Sequence, residues 1–179
     1  MKSVCVYCGS SDHVDHVFKE AARALGVELA QRQMRLIYGG GNIGLMGVVA
    51  EAAIKQGGHV IGVIPESLMS RELGHRDITE LHVVNSMHER KQMMASFADS
   101  FIAMPGGIGT LEELFEILTW AQLSFHDKPI GLLNVDGYFD YLLKFLDKMV
   151  GCRFITQEHL DLMKVEQDAS ALLDQICSQ

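Results

Sequence analysis

Two short motifs carry the residue types that chemistry on an anion would need. The first is Pro105-Gly106-Gly107-Ile108-Gly109-Thr110-Leu111-Glu112-Glu113, a glycine turn between an apolar run and the start of a helical pattern. Glycines let backbone N–H groups approach a phosphate with no Cβ in the way, and a helix start adds its own free donors. Thr110 stands where an N-cap belongs, and Glu113 follows at capping-box spacing. Glu113 therefore has two readings: a cap favoured by the helix dipole, or an acid placed beside a phosphate cradle. The second motif is Met87-His88-Glu89-Arg90-Lys91, which opens another helical pattern. Adjacent cations are disfavoured at that end of a helix, which points to an anionic ligand or a carboxylate partner for Arg90 and Lys91. The plainer alternative is a solvated charged face.

Together these motifs resemble those of the LOG (Lonely guy) family, the cytokinin riboside 5′-monophosphate phosphoribohydrolases that once carried the name lysine decarboxylase. The resemblance covers nearly the whole chain. Gly9-Ser10-Ser11, Tyr38-Gly39-Gly40-Gly41, Gly44-Leu45-Met46-Gly47, Ile64-Pro65 and Arg71-Glu72 all fall where family members have equivalents. Gln92-Met93-Met94 and residues 74–79 are local variation.

The resemblance implies hydrolysis of the N-glycosidic bond of purine nucleoside 5′-monophosphates such as AMP, giving free base and ribose 5-phosphate. It implies no metal and no organic cofactor. Breaking that bond develops positive charge on the ribose and negative charge on the purine, so a carboxylate belongs near C1′ and a donor or cation near the base. Glu113 and Arg90 are the catalytic candidates. Glu113 is assigned to the ribose hydroxyls, the oxocarbenium-like transition state and the attacking water; Arg90 either positions Glu113 or aids the leaving group. Gly107, Gly109 and Thr110 are assigned to the 5′-phosphate, and Gly106, Ile108, Leu111 and Glu112 of the same turn to substrate binding, with Ser10 on the same rim. Gly40 and Gly41 fall to the base or sugar, Lys91 and Thr119 to the pocket wall, and Met87 to the start of the site helix. By resemblance, Glu72 also contacts the substrate at its purine end.

The chain as a whole reads as one compact enzyme domain over residues 1–179, with 48% hydrophobic and 21% charged residues. A net charge of −8 argues against nucleic-acid or anionic-membrane partners, so a phosphate site must be a local positive pocket in an acidic body. No apolar run approaches membrane-spanning length, and Met1-Lys2-Ser3 leads straight into a strand pattern, so the expected compartment is the cytoplasm. Cys5 and Cys8 have C-x-x-C spacing, but an odd separation along a strand sends the two thiols to opposite faces, where they cannot readily pair. Cys152 and Cys177 read as free thiols.

Strand patterns at residues 4–8, 35–38, 59–64, 81–84, 100–104, 129–133 and 162–166 alternate with helical patterns at 14–32, 45–56, 86–98, 110–120, 138–150 and 168–176. Residues 66–79 read as a loop with a short helix. Such alternation predicts an α/β fold, a Rossmann-like, doubly wound and mainly parallel sheet flanked by helices, with ligands beyond the carboxyl ends of its strands. Ser10, the glycines at 39–41 and those at 106–109 all follow strand ends, which places them on one rim. Gly39-Gly40-Gly41-Asn42-Ile43-Gly44 also satisfies G-x-G-x-x-G. It follows the second strand, however, and the nearest acid for a ribose is Glu66, beyond Pro65, so a mononucleotide fits better than a dinucleotide.

Other readings are weaker. His13 and His16 share one helix face, but no Cys, Asp or Glu set completes a metal shell. Most methionines are core filler. A carrier that binds a nucleotide or the molybdenum cofactor without hydrolysis could use the same turns, but it would not need Arg90 and Glu113 together. A lysine decarboxylase would need a lysine for pyridoxal phosphate, and Lys91 alone lies near the motifs. Leu114, Phe115, Ile117, Leu118 and Trp120 give the helix after the glycine turn more apolar surface than one stripe, which fits a homodimer. Sedimentation should show a dimer or larger assembly at micromolar concentration; a fully active monomer would overturn this.

Overall fold

In the computed structural model, which describes residues 1–177, seven strands form a single sheet. They are β1 (Ser3–Tyr7), β2 (Arg35–Tyr38), β3 (Val60–Pro65), β4 (Glu80–Val84), β5 (Ser100–Ala103), β6 (Ile130–Leu133) and β7 (Met163–Glu166). Their spatial order is β4-β3-β2-β1-β5-β6-β7, and every neighbouring pair is parallel, so the sheet expected to be mainly parallel is parallel throughout.

Both faces are covered, which is why the inner strands read as unbroken apolar runs. Helices α1 (His16–Gln31), α2 (Gly44–Lys55) and α7 (Ala169–Cys177) lie on one face. On the other lie α3 (Met87–Phe97), α4 (Ile108–Gln122), α5 (Asp140–Gly151) and the five-residue α6 (Gln157–Asp161). Side chains alternate across the sheet. Val4 and Val6 therefore enter the core beneath α1, α2 and α7, while Cys5 and Tyr7 enter the core beneath α3, α4 and α5. Cys8 packs in the first core and Cys5 in the second, so the C-x-x-C pair is split between layers as its spacing predicts. Both thiols are free, and burial pushes both well above the usual thiol range.

Of three local features, the start of α4 and the presence of α6 differ from the expectation, and residues 66–79 match it. The helix expected from Thr110 starts at Ile108, with Gly107 in the N-cap position and no side-chain cap, so Thr110 lies inside the first turn and is buried. Residues 66–79 hold only one 3-10 turn, Glu66–Leu68, before irregular chain leads to β4. α6 was not foreseen: a capping box between Thr156 and His159 supports it, and five residues are too few to show a helical period.

The closest helix contact is between α1 and α2. A Cβ on Gly26 would sit 2.4 Å from the Val49 carbonyl oxygen and 2.9 Å from the Ala52 Cβ. These are backbone and core atoms of α2 and cannot swing aside. Alanine gains about 0.5–1 kcal/mol over glycine in a helix, whereas overpacking costs about 1–3 kcal/mol. Gly26→Ala should therefore lower stability by about 1–2 kcal/mol, read as a lower urea midpoint; an unchanged or raised midpoint would refute this packing.

Candidate active site

The sheet changes winding direction between β1 and β5, so the turns after these two strands part toward opposite faces and leave a crevice beyond their ends. The Gly9 N–H donates to the Pro105 carbonyl at 3.0 Å, tying the two turns together at its base. A cavity of about 350 Å³ opens there. Its walls come from Ser10, from Glu72 in the loop after β3, from Met87 and Arg90 on α3, and from Gly107, Ile108, Gly109, Thr110, Glu112 and Glu113 at the start of α4.

The glycines of this region do different work. A Cβ at Gly107 or Gly109 would meet no protein atom within 4 Å, so the fold does not require glycine at either place. Their bare backbone faces open space beside the first-turn N–H groups of α4, which have no acceptor within the helix and no capping side chain. Such a surface has the donors and the room to cradle an anion. Gly106 lies behind it: a Cβ there would overlap the Thr110 side chain and stand 2.9 Å from the Gly9 nitrogen. The Tyr138 hydroxyl donates to the Gly106 carbonyl at 2.7 Å and steadies the turn from outside.

The G-x-G-x-x-G run is organised otherwise. The Gly44 N–H, at the start of α2, donates to the Asp12 carboxylate at 2.7 Å, and the Leu45 N–H donates to the Gly9 carbonyl at 2.9 Å. The end of α2 that would attract a pyrophosphate is filled by the protein's own carboxylate. Gly40 and Gly41 do not line the cavity: Gly40 packs against β3 and Leu81, and Gly41 against Met46 and Glu72.

Arg90 and Lys91 both take the carboxylate-partner option. The Ser86 hydroxyl caps α3 by accepting from the Glu89 N–H at 3.1 Å, and the Glu89 carboxylate accepts from the Asn85 N–H at 2.8 Å. Arg90 is buried; its Nε donates to the Val63 carbonyl at 3.1 Å, and its Nη2 to the Gly39 carbonyl at 2.7 Å and to Glu72 at 3.1 Å. Among the described residues its Nη1 meets only the Met87 sulfur, at 3.8 Å, a weak acceptor that leaves this donor available in the cavity wall. Lys91 turns away, to Glu112 and to Glu116 at 3.0 Å, and is not part of the wall. Leu111 is packed on the core, and the Thr119 hydroxyl donates to the Phe115 carbonyl at 2.6 Å, so neither lines the cavity of the single chain.

Glu113 decides the character of the site. The capping reading fails, because Gly107 is the N-cap and the Glu113 carboxylate has no hydrogen bond or ion pair among the described residues. Burial pushes its pKa up to about 7; Arg90 is the strongest opposing influence, with Lys91 assisting it, while Glu112 and Glu72 push in the same direction as burial. Leu68, Met94 and Gly39 also line the cavity. The sequence placed Gly39 on this rim but missed Leu68, Met94 and Asp12, because apolar and short polar residues carry no spacing signal. No group of three or more His, Cys, Asp or Glu among the described residues is placed to hold a metal ion, and none of their helices is long and apolar enough to cross a membrane.

Comparison with known proteins fits this geometry. A family model described as "Possible lysine decarboxylase" matches residues 46–176. The chain is 51% identical over 175 residues to "Probable cytokinin riboside 5′-monophosphate phosphoribohydrolase LOGL9" of Oryza sativa subsp. japonica, covering 98% of this chain and 77% of that one. The chain belongs to the LOG family. A second LOG relative, "Cytokinin riboside 5′-monophosphate phosphoribohydrolase LOG5" of Arabidopsis thaliana, is 53% identical over 161 residues, 89% of this chain and 71% of its own. Among solved structures, a molybdenum cofactor binding protein from Rippkaea orientalis superposes with a TM-score of 0.75 at 22% identity, covering 99% of this chain and 97% of its own. The molybdenum cofactor carrier protein of Chlamydomonas reinhardtii gives 0.72 at 22% identity, with 99% of each chain covered. At that identity the likeness is one of fold.

The raised pKa of Glu113 ties the LOG site to stability. An unfolded glutamate releases its proton near 4.5, whereas folded Glu113 holds it to about 7. Stability is therefore lost as pH rises between those values, since the native state binds the extra proton. At pH 8 Glu113→Gln should be more stable than the parent, by something on the order of 1–3 kcal/mol, and the advantage should vanish near pH 4.5. Urea midpoints at the two pH values test this; a variant less stable than the parent at pH 8 would overturn it.

Proposed function

We propose that this LOG protein hydrolyses the N-glycosidic bond of purine nucleoside 5′-monophosphates, AMP or a cytokinin ribotide, to free base and ribose 5-phosphate. The observation that carries the reading is an unpaired, half-buried carboxylate, Glu113, one helical turn from an open glycine cradle. A protein that only carried a nucleotide or the molybdenum cofactor would gain nothing from such a group. The relatives' names support the same substrate class.

The chemistry follows from the placement. The N–H groups at 108–110 and the hydroxyls of Ser10 and Thr110 receive the 5′-phosphate. The cavity wall holds three carboxylates, Glu72, Glu112 and Glu113, and Arg90 is its one cation among the described residues, so a monophosphate suits it better than a polyphosphate. As the bond to the base breaks, ionised Glu113 stabilises the positive ribose and takes a proton from the attacking water, whose oxygen bonds to C1′. The electron pair of the broken bond leaves with the purine, which takes a proton from solvent water as it departs, while Glu113 later returns its proton to solvent. Arg90 Nη1 stands in the wall as a donor for that leaving group, and Arg90 and Glu113 share no hydrogen bond. A pKa near 7 matches a base working near neutral pH.

The lysine decarboxylase name finds no support in the wall. No described lysine lines the cavity, and although burial favours its neutral form, Lys91 is held protonated by Glu112 and Glu116, with its pKa raised. We further propose that residues 1–179 act as one unit in the cytoplasm, as a homodimer and without a nucleic-acid partner. The dimer reading rests on apolar surface: Leu114 and Ile117 are buried, while Leu118 and Trp120 are only half-buried and Phe125, Tyr141 and Phe145 are exposed.

Pure protein should release free base from AMP but not from adenosine, because the cradle contributes only when a phosphate is present. Equal turnover of the two would sink the reading. Glu113→Gln should keep the fold while losing about a hundredfold or more in kcat; chromatographic assay for adenine and ribose 5-phosphate checks both.

A further inference from the structure

We propose that Gly39 is a positioning residue for Arg90, its missing side chain forming the seat in which the guanidinium lies. The activity part of this inference rests on the hydrolase reading above. A Cβ on Gly39 would stand 2.2 Å from Arg90 Nη2 and 3.2 Å from Arg90 Cζ, and the next nearest atom is the Met46 sulfur at 3.1 Å. The same residue supplies the carbonyl that accepts from Nη2 at 2.7 Å. Seat and acceptor thus come from one position at the end of β2.

The neighbouring glycines answer to different constraints. Gly40 has a φ of +73°, a conformation that side chains rarely adopt, and its Cβ would also press on the main chain of β3. Gly39 is not among the glycines with positive φ, so alanine meets no backbone strain there. Its collision is with the far end of a long side chain, so the fold can yield at Arg90 and the sheet can stay as it is. Displacing the guanidinium would break its bonds to Gly39 and Val63 and move its charge relative to Glu113. Glu113 faces Arg90 and Lys91 from α3, Glu72 from the loop after β3, Glu112 on its own helix, and Tyr7, Cys5 and Cys8 from β1 and the turn after it; Arg90 is the strongest influence favouring its ionised form.

The test is a double-mutant cycle on the full chain with Gly39→Ala, Arg90→Ala and the pair. Two readouts are taken: AMP turnover, and titration of the Glu113 carboxyl by carbon-13 NMR of glutamate-labelled protein, assigned with Glu113→Gln. Gly39→Ala should fold, lose about tenfold to a hundredfold in kcat/KM, and show a Glu113 midpoint displaced upward. In the Arg90→Ala background, Gly39→Ala should add less than about twofold to either readout. If Gly39→Ala alone does not fold but the pair does, the collision with Arg90 is shown directly. Gly151→Ala, where a Cβ meets nothing within 4 Å, should match the parent. An unmoved Glu113 midpoint in Gly39→Ala, additive losses in the pair, or failure of both Gly39 variants to fold while Arg90→Ala folds would each overturn the proposal. A parent protein inactive on AMP and cytokinin ribotides would defeat the hydrolase reading alone, and the titration would still decide the role of Gly39.

Discussion

The site depends on keeping one guanidinium out of water. Burying a charge is costly unless its hydrogen bonds are replaced, and Arg90 replaces its own with the carbonyls of Gly39 and Val63 and the carboxylate of Glu72. Each partner comes from a different segment, so satisfying Arg90 fixes the ends of β2 and β3, the loop that follows β3, and the first turn of α3 relative to one another. The loop is held by further bonds of the same kind. The Asn42 N–H donates to the Glu72 carbonyl at 2.9 Å, the His75 N–H donates to the Gly40 carbonyl at 2.8 Å, and Tyr38 meets the His75 ring at 3.2 Å. Burial lowers the pKa of His75 and favours its neutral form, which suits a ring that shares a hydrogen bond with a buried phenol. A loop without regular structure is thereby made rigid enough to place a carboxylate.

That arrangement leaves the charges unevenly matched in a useful way. Arg90 is engaged by Glu72, and Lys91 by Glu112 and Glu116, so every cation of the second motif already has a partner. Glu113 is the acid left over. Its proton affinity is set mainly by burial and trimmed by the field of Arg90, without a hydrogen bond between them. An arginine bonded directly to Glu113 would hold it ionised and occupy its carboxylate oxygens. Placing Arg90 one partner away keeps the carboxylate free while still favouring its charged form. Such a site is a local cost to the folded state, and the two apolar layers on either side of the sheet carry it.

Much of this was legible in the sequence. Apolar runs gave the strands, because a sheet covered on both faces needs no polar residue in its inner strands. Turn residues at strand ends placed Ser10 and the Gly107–Thr110 stretch on one rim, and the reversal between β1 and β5 is where the fold leaves room for them. The partners of Arg90 and Lys91 were not legible as pairs, since Glu72 sits in a loop without period and Glu116 lies one turn beyond the motif. The start of α4 was misread because Thr110 and Glu113 imitate a capping box. The real N-cap, Gly107, has no side chain to announce it.

The two glycine runs show why residue type alone could not separate binding from packing. Written out, Gly39 to Gly44 looks more like a nucleotide loop than Gly106 to Gly109 does. In space the resemblance to a nucleotide loop counts for less than what surrounds each glycine. Gly39, Gly41 and Gly44 have Arg90, Met46 and the turn after β1 standing where a Cβ would go, whereas Gly107 and Gly109 are glycine with nothing in the way. A glycine that the fold requires says little about ligands; one that the fold would release for alanine, at the mouth of a cavity and beside uncapped helix donors, has its reason outside the chain. By that criterion the turn before α4 is the one open to a ligand, and the glycine run after β2 is the frame that holds Arg90 in place.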